Sequence, residues 1–193
     1  IPFSLCSLNG GLKDNAIPRQ AEAVIVCPEK RQSEINTKIA VISSEIKHEF
    51  LETDPMILVE AKKTTLVEKE LVMTKDSADK VITALLCLPG GIQKMSFQMK
   101  GLVKTSLNLG IMKTERDHFS LSFSVRSSVE SEKRALLERI ICLTKTLGGT
   151  VTANGDYPAW EYRAESDIRE GISAVYEELF HEEPVFEAIH AGL

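Results

Sequence analysis

The sequence predicts an α/β plait of the α+β kind: an enlarged ferredoxin-like layer pair, with helices over one face of a mainly antiparallel sheet. Two observations carry this. Residues 119–126 alternate strictly, with Phe119, Leu121, Phe123 and Val125 on one side and Ser120, Ser122, Ser124 and Arg126 on the other. That is the period of a strand with one buried face. Elsewhere the apolar spacing switches to three and four residues, the period of helices that pack on such a face.

The elements follow in chain order. Residues 20–27 (QAEAVIVC) read as a strand stopped by Pro28. Ile35, Ile39, Ile42, Ile46 and Phe50 lie on one helical stripe, and Asp54-Pro55 breaks the chain after it. Residues 56–61 then read as a strand that pairs with 64–73 as a hairpin. Thr74 or Asp76 caps a helix carrying Val81, Ile82, Leu85 and Leu86, ended by Pro89-Gly90-Gly91.

In 103–111, Val103, Thr105, Leu107, Leu109 and Ile111 oppose Lys104, Ser106, Asn108 and Gly110. The connection to 119–126 is short, so these two strands form an antiparallel pair with one small, polar face. Ser127 or Ser128 caps a long helix with Leu136, Leu137, Ile140, Leu143 and Leu147, and Gly148-Gly149 stops it. A strand at 150–154, an aromatic loop at 157–162, a capped helix from Asp167 to Phe180 and a short strand at 185–189 complete the pattern.

Composition excludes several function classes. The 193 residues hold 23 Lys plus Arg against 28 Asp plus Glu, a net charge of −5, so no basic footprint for nucleic acid or anionic lipid is present. Apolar runs such as 81–88 fall far short of the roughly 20 residues that span a bilayer. With 43% hydrophobic positions the chain is not of the disordered class and suffices for one substantial core. The four cysteines, Cys6, Cys27, Cys87 and Cys142, show no CxxC pairing and no N-glycosylation sequon accompanies them. Buried, reduced thiols in a cytoplasmic protein are expected.

Autonomous catalytic motifs are absent from the sequence. None of His48, His118, His181 and His190 has another His or a Cys within four residues, and there is neither a G-x-S-x-G nor a P-loop. Two polar groups stand out instead. Arg126 ends the serine-faced strand, where a guanidinium suits bidentate capture of a carboxylate; a surface salt bridge is the plainer alternative. Asn15 lies in the segment 9–18, where its amide can donate to one substrate atom and accept from another, or simply form a turn.

Five stretches carry a resemblance. They are NGGLKDNAIPRQA (9–21), GLVKTSLNLG (101–110), FSVRSSVESEK (123–133), LGGTV with GDYPAWEYR (147–163) and EAIHAGL (187–193). In this order they resemble the aminoacyl-histidine dipeptidases, relatives of carnosinase in the di-zinc peptidase superfamily. The resemblance implies a fragment of a longer cytoplasmic metallodipeptidase. Residues 1–163 would be its lid or dimerisation domain, and 164–193 a return into its catalytic domain. It implies two zinc ions held entirely by residues outside this stretch, so none is expected here, nor any catalytic group.

By the same resemblance Arg126 would hold the C-terminal carboxylate of a dipeptide substrate. Asn15 would contact substrate as the lid closes, and Asn108 would lie on the same sheet face as a third binding residue. His190 matches a motif histidine without an assigned role. The family's own catalytic domain and a second copy in a homodimer are the implied partners, with no nucleic acid and no membrane. The helix from Asp167 would then have an orphaned apolar stripe, and its tail would fold back on the lid or dock on a neighbouring copy. The rival reading is a stand-alone ferredoxin-like regulatory or interaction domain without catalysis.

Overall fold

The computed structural model describes residues 2–64 and 71–190. It contains five strands and four helices among these residues: β1 (Ser4–Gly10), β2 (Ala21–Val26), α1 (Gln32–Glu49), α2 (Lys75–Cys87), β3 (Gly91–Met95), β4 (Val103–Thr114), β5 (Phe119–Ser127), α3 (Glu130–Thr146) and α4 (Asp167–Phe180). The strands form one sheet in the order β2-β1-β4-β3, with β5 also paired to β4. The assigned pairings of β1 with β2 and β4, and of β3 with β4, are antiparallel. Four residues join β4 to β5, a link that only antiparallel neighbours permit. The mixed α/β class and the antiparallel sheet agree with the sequence pattern.

The chain divides into two compact units, one grouping Ile1–Gly10, Arg19–Ile82 and Met112–Ser120, the other Gly11–Pro18, Thr83–Ile111 and Leu121–Leu193. In the first, β1 and β2 pair from Ser4↔Val26 to Gly10↔Ala21, with a register shift between Leu5 and Ser7. The shift explains how Leu5 and Cys6, adjacent in sequence, are both buried, since an unbulged strand would send one of them outward. Backbone pairing of β1 with β4 is confined to Gly10↔Met112. Thr114 extends it: its hydroxyl accepts from Leu8 N at 2.8 Å and donates to Leu8 O at 2.9 Å, while its own N–H reaches Asn9 Oδ1 at 2.9 Å.

The second unit holds the clearest core. Leu107 of β4 meets Leu136 and Ile140 of α3, with Leu88, Phe123 and Val125 packed around them. These are apolar-face residues of the alternating strands and the helical stripe. Beside them, Thr105 and Ser127 are buried and share a hydroxyl–hydroxyl bond of 2.8 Å, and Thr105 also donates to Glu132 Oε2 at 2.5 Å. Lys104 and Lys94 reach the other oxygen of Glu132 at 3.0 and 3.3 Å. Burial by itself would raise the pKa of Glu132, but hydrogen bonds from Thr105, Lys104 and Lys94 hold it below the ordinary carboxylate value.

Several local expectations are corrected. Residues 56–61 form no strand; Met56 and Leu58 are exposed and the segment has no ladder partner among the described residues. Most of its expected hairpin mate, 65–70, lies outside the described residues. Segments 150–154 and 185–189 are likewise irregular. Two strands went unanticipated: β1, whose partner β4 lies far along the chain, and β3, because Gly91 does not merely end α2. With φ +73° it turns the chain straight into a strand paired with β4 from Gly91↔Leu107 to Met95↔Val103.

Neither expected serine is the N-cap of α3. That position is Val129, and Ser127, drawn into the sheet, accepts the Val129 N–H at 3.1 Å. At the other end Gly148 adopts φ +81°, and Gly148 and Gly149 donate to Lys145 O and Thr144 O, as the Gly pair led one to expect. Helix α4 has the expected bounds, with Ser166 Oγ accepting from Arg169 N. Its stripe of Ile168, Ile172, Val175 and Leu179 is exposed. Of the cysteines, Cys6 is buried, whereas Cys87 and Cys142 are exposed, contrary to expectation.

Candidate carboxylate-binding site

The polar face of β4 and β5 gathers the residues singled out above. Ser128 N donates to Lys104 O at 3.0 Å and Thr105 bonds Ser127, which sets the pairing at this end of the hairpin. The next residues along, Ser106 and Arg126, are neighbours across the ladder there. Alternation puts Asn108 on the same face of β4 as Ser106. Arg126 and Asn108 are half-buried. Among the described residues no carboxylate lies within ion-pair distance of the Arg126 guanidinium.

Asn108 does something the sequence did not reveal. Its amide nitrogen donates to Asp14 O at 3.0 Å and to Ala16 O at 2.8 Å, thereby bracketing Asn15. The loop 11–18 is thus laid against β4 with the Asn15 side chain exposed. Two glycines make that approach possible. A Cβ on Gly110 would overlap the Lys13 and Asp14 carbonyls and stand 2.5 Å from Asp14 C, and one on Gly11 would collide with the Gly110 carbonyl. Gly11 also has φ +74°, a conformation that residues with side chains rarely adopt. The structure therefore brings Asn15, Asn108 and Arg126 to one face, with Asn108 acting on the loop backbone.

A fourth residue joins them. His190 Nε2 lies 2.7 Å from Ser106 Oγ, 84 residues away in sequence, and the ring also bonds the Val103 backbone carbonyl. Burial and then the positive charge of Arg126 push its pKa below the ordinary histidine value. The segment after α4 thus folds back onto its own sheet through His190. No local pattern announces this, because the strand alternation places Ser106 but says nothing about what comes to meet it.

No group of three or more His, Cys, Asp or Glu side chains converges among the described residues. No described helix is long and apolar enough to cross a membrane.

No family model matches the chain. It is 28% identical over all 193 residues to the cytosol non-specific dipeptidase of Escherichia coli (strain K12), of which it covers 39%. The chain is homologous to part of a dipeptidase. Its fold agrees: the crystal structure of aminoacylhistidine dipeptidase from Vibrio alginolyticus superposes with a TM-score of 0.88 at 27% identity, over 99% of this chain and 39% of that one. The chain thus spans about two fifths of the length of each dipeptidase relative, and the homology agrees with the resemblance carried by the five sequence stretches.

Proposed function

We propose that this chain is the lid and dimerisation segment of a cytoplasmic metallodipeptidase that hydrolyses Xaa-His and other dipeptides. Residues 1–163 form the lid, and 164–193 lead back into the catalytic domain. Two zinc ions, which residues beyond this stretch would hold, would supply the Lewis acid and the activated water. This segment supplies recognition. Arg126 grips the C-terminal carboxylate of the dipeptide through paired N–H donors, and Asn15 meets the substrate backbone from the loop that Asn108 holds.

A dipeptide is short enough for its carboxylate to act as a ruler. Anchoring that end fixes the distance of the peptide bond from the metal pair, and closure of the lid excludes water while the bond is cut. Homodimerisation would bring two such lids together.

The observation that carries this reading is Arg126 on a small polar face, with no carboxylate within ion-pair distance among the described residues, beside a loop tied down by Asn108. The test is Arg126→Ala in the full-length enzyme. Loss of a charge-assisted pair of about 1.5–3 kcal/mol should raise KM and lower kcat/KM by about 10- to 150-fold. Unchanged kinetics would reduce Arg126 to a surface residue. The isolated 193-residue chain is expected to hydrolyse no dipeptide, and Xaa-His turnover above a mock preparation would refute the assignment of catalysis to other residues.

A further inference from the structure

Arg126 has a titratable neighbour that the carboxylate reading leaves unused. His190 reaches the polar face of β4 and touches Ser106, the residue opposite Arg126. The Ser106 hydroxyl can donate to Nε2 of a neutral ring whose proton is on Nδ1. The same ring, once protonated, keeps this contact by letting Nε2 donate to Ser106 Oγ. Either charge state is therefore accommodated without moving the histidine.

The groups facing the ring are Ser106 and the Val103 carbonyl from β4, and Arg126 from β5. Lys104, next on that side of β4, is paired with Glu132 at 3.0 Å. On its own segment the nearest titratable groups in sequence are Glu187 and the terminal carboxylate of Leu193, each three residues away. Arg126 is thus the charge that acts on His190, second to burial.

We propose that His190 is the second group of the Arg126 carboxylate site, taking up a proton from solvent when a carboxylate binds. The proposal rests on the reading of Arg126 given above and adds a residue and a pH dependence to it. In the empty site burial and then the guanidinium both disfavour a positive charge on the imidazole. A carboxylate on Arg126 offsets the second of these, so the ring takes up a proton more readily. Linkage is reciprocal: whatever a bound carboxylate does to proton affinity, the bound proton does to carboxylate affinity. Carboxylate affinity should therefore be constant above the pKa of the occupied site. It should rise as pH falls through that value, and level off below the pKa of the empty site.

The experiment is NMR titration of the histidine ring protons of the 193-residue chain between pH 5 and 8. It is run with acetate as the probe and with chloride at equal ionic strength, the His190 signal being identified by its absence in His190→Gln. Acetate should raise the His190 midpoint by half a unit or more over chloride. Arg126→Gln should raise the midpoint without acetate and abolish the response to acetate. The Arg126 Nε–H resonance, followed in the same samples, separates the two ideas. If acetate shifts the Arg126 signal but leaves the His190 midpoint in place, Arg126 binds carboxylates alone and the His190 proposal is overturned. If neither signal responds, the carboxylate reading of Arg126 falls and takes the His190 proposal with it.

Discussion

Replacing Asn108 should release the loop that carries Asn15 while leaving the core untouched. The amide of Asn108 makes two hydrogen bonds to that loop, to Asp14 O at 3.0 Å and Ala16 O at 2.8 Å. Both are open to solvent, so water replaces them in part when they are lost. Each is then worth the lower half of the usual net range, and the pair about 1–2 kcal/mol. That corresponds to a rise of about 5- to 30-fold in the population of the open loop. Lys13 lies within the loop and provides a reporter, because trypsin cleaves after it only when the backbone is free to enter the protease.

The cleavage rate after Lys13, followed by mass spectrometry and normalised to cleavage after the exposed Lys62, should rise by this factor in Asn108→Ala. Asn108→Asp should open the loop further. It keeps the shape but turns both donors into acceptors facing carbonyl oxygens. The urea midpoint of the whole chain should move little in either variant. A Lys13 to Lys62 ratio unchanged in both would refute the idea that Asn108 holds the loop.

Other perturbations test neighbouring parts of the same argument. Gly110→Ala places a methyl group against the Lys13 and Asp14 backbone, so it should cost about 1–3 kcal/mol in overpacking and raise Lys13 cleavage as Asn108→Ala does. Unaltered stability together with unaltered cleavage would show that the loop does not lie against β4. Glu132→Gln removes a charge held by Thr105, Lys104 and Lys94, and should cost about 1–2 kcal/mol at pH 7 by urea denaturation. The folded pKa of Glu132 lies below its ordinary 4.5, so its contribution is present above that value and lost as pH falls through the folded one. The gap between wild type and Glu132→Gln should accordingly close on acidification, and a gap that stayed constant down to pH 3 would argue against an ionised Glu132 in the network.

Much of the fold was legible because its signals are local. The alternation of 119–126 and the three-and-four spacing of Leu136, Ile140 and their neighbours are periodicities of one element, and they identified the two faces that meet at Leu107. Ser166 before α4 and Gly148-Gly149 after α3 mark helix ends through hydrogen bonds made within a few residues. Strand formation obeys a different condition. Residues 56–61, 150–154 and 185–189 have strand-compatible composition but no paired edge among the described residues, whereas β1 and β3 have modest composition and a paired edge. A ladder needs a second strand, and which segment supplies it is decided at long range.

The candidate site divides in the same way. By itself the sequence determined that Arg126 and Asn108 share a small polar strand face, because alternation with a period of two leaves no other choice. It also supplied a loop bearing Asn15, and the five stretches by which the chain resembles a dipeptidase. Only the tertiary structure decided that the Asn108 amide is spent on the backbone of that loop, that Gly110 is the space the loop needs, and that His190 comes to rest on Ser106 beside Arg126. The reason is physical. A side chain's direction follows from its own backbone, but its partners are chosen by parts of the chain scores of residues away, and the charge state of His190 depends on those partners.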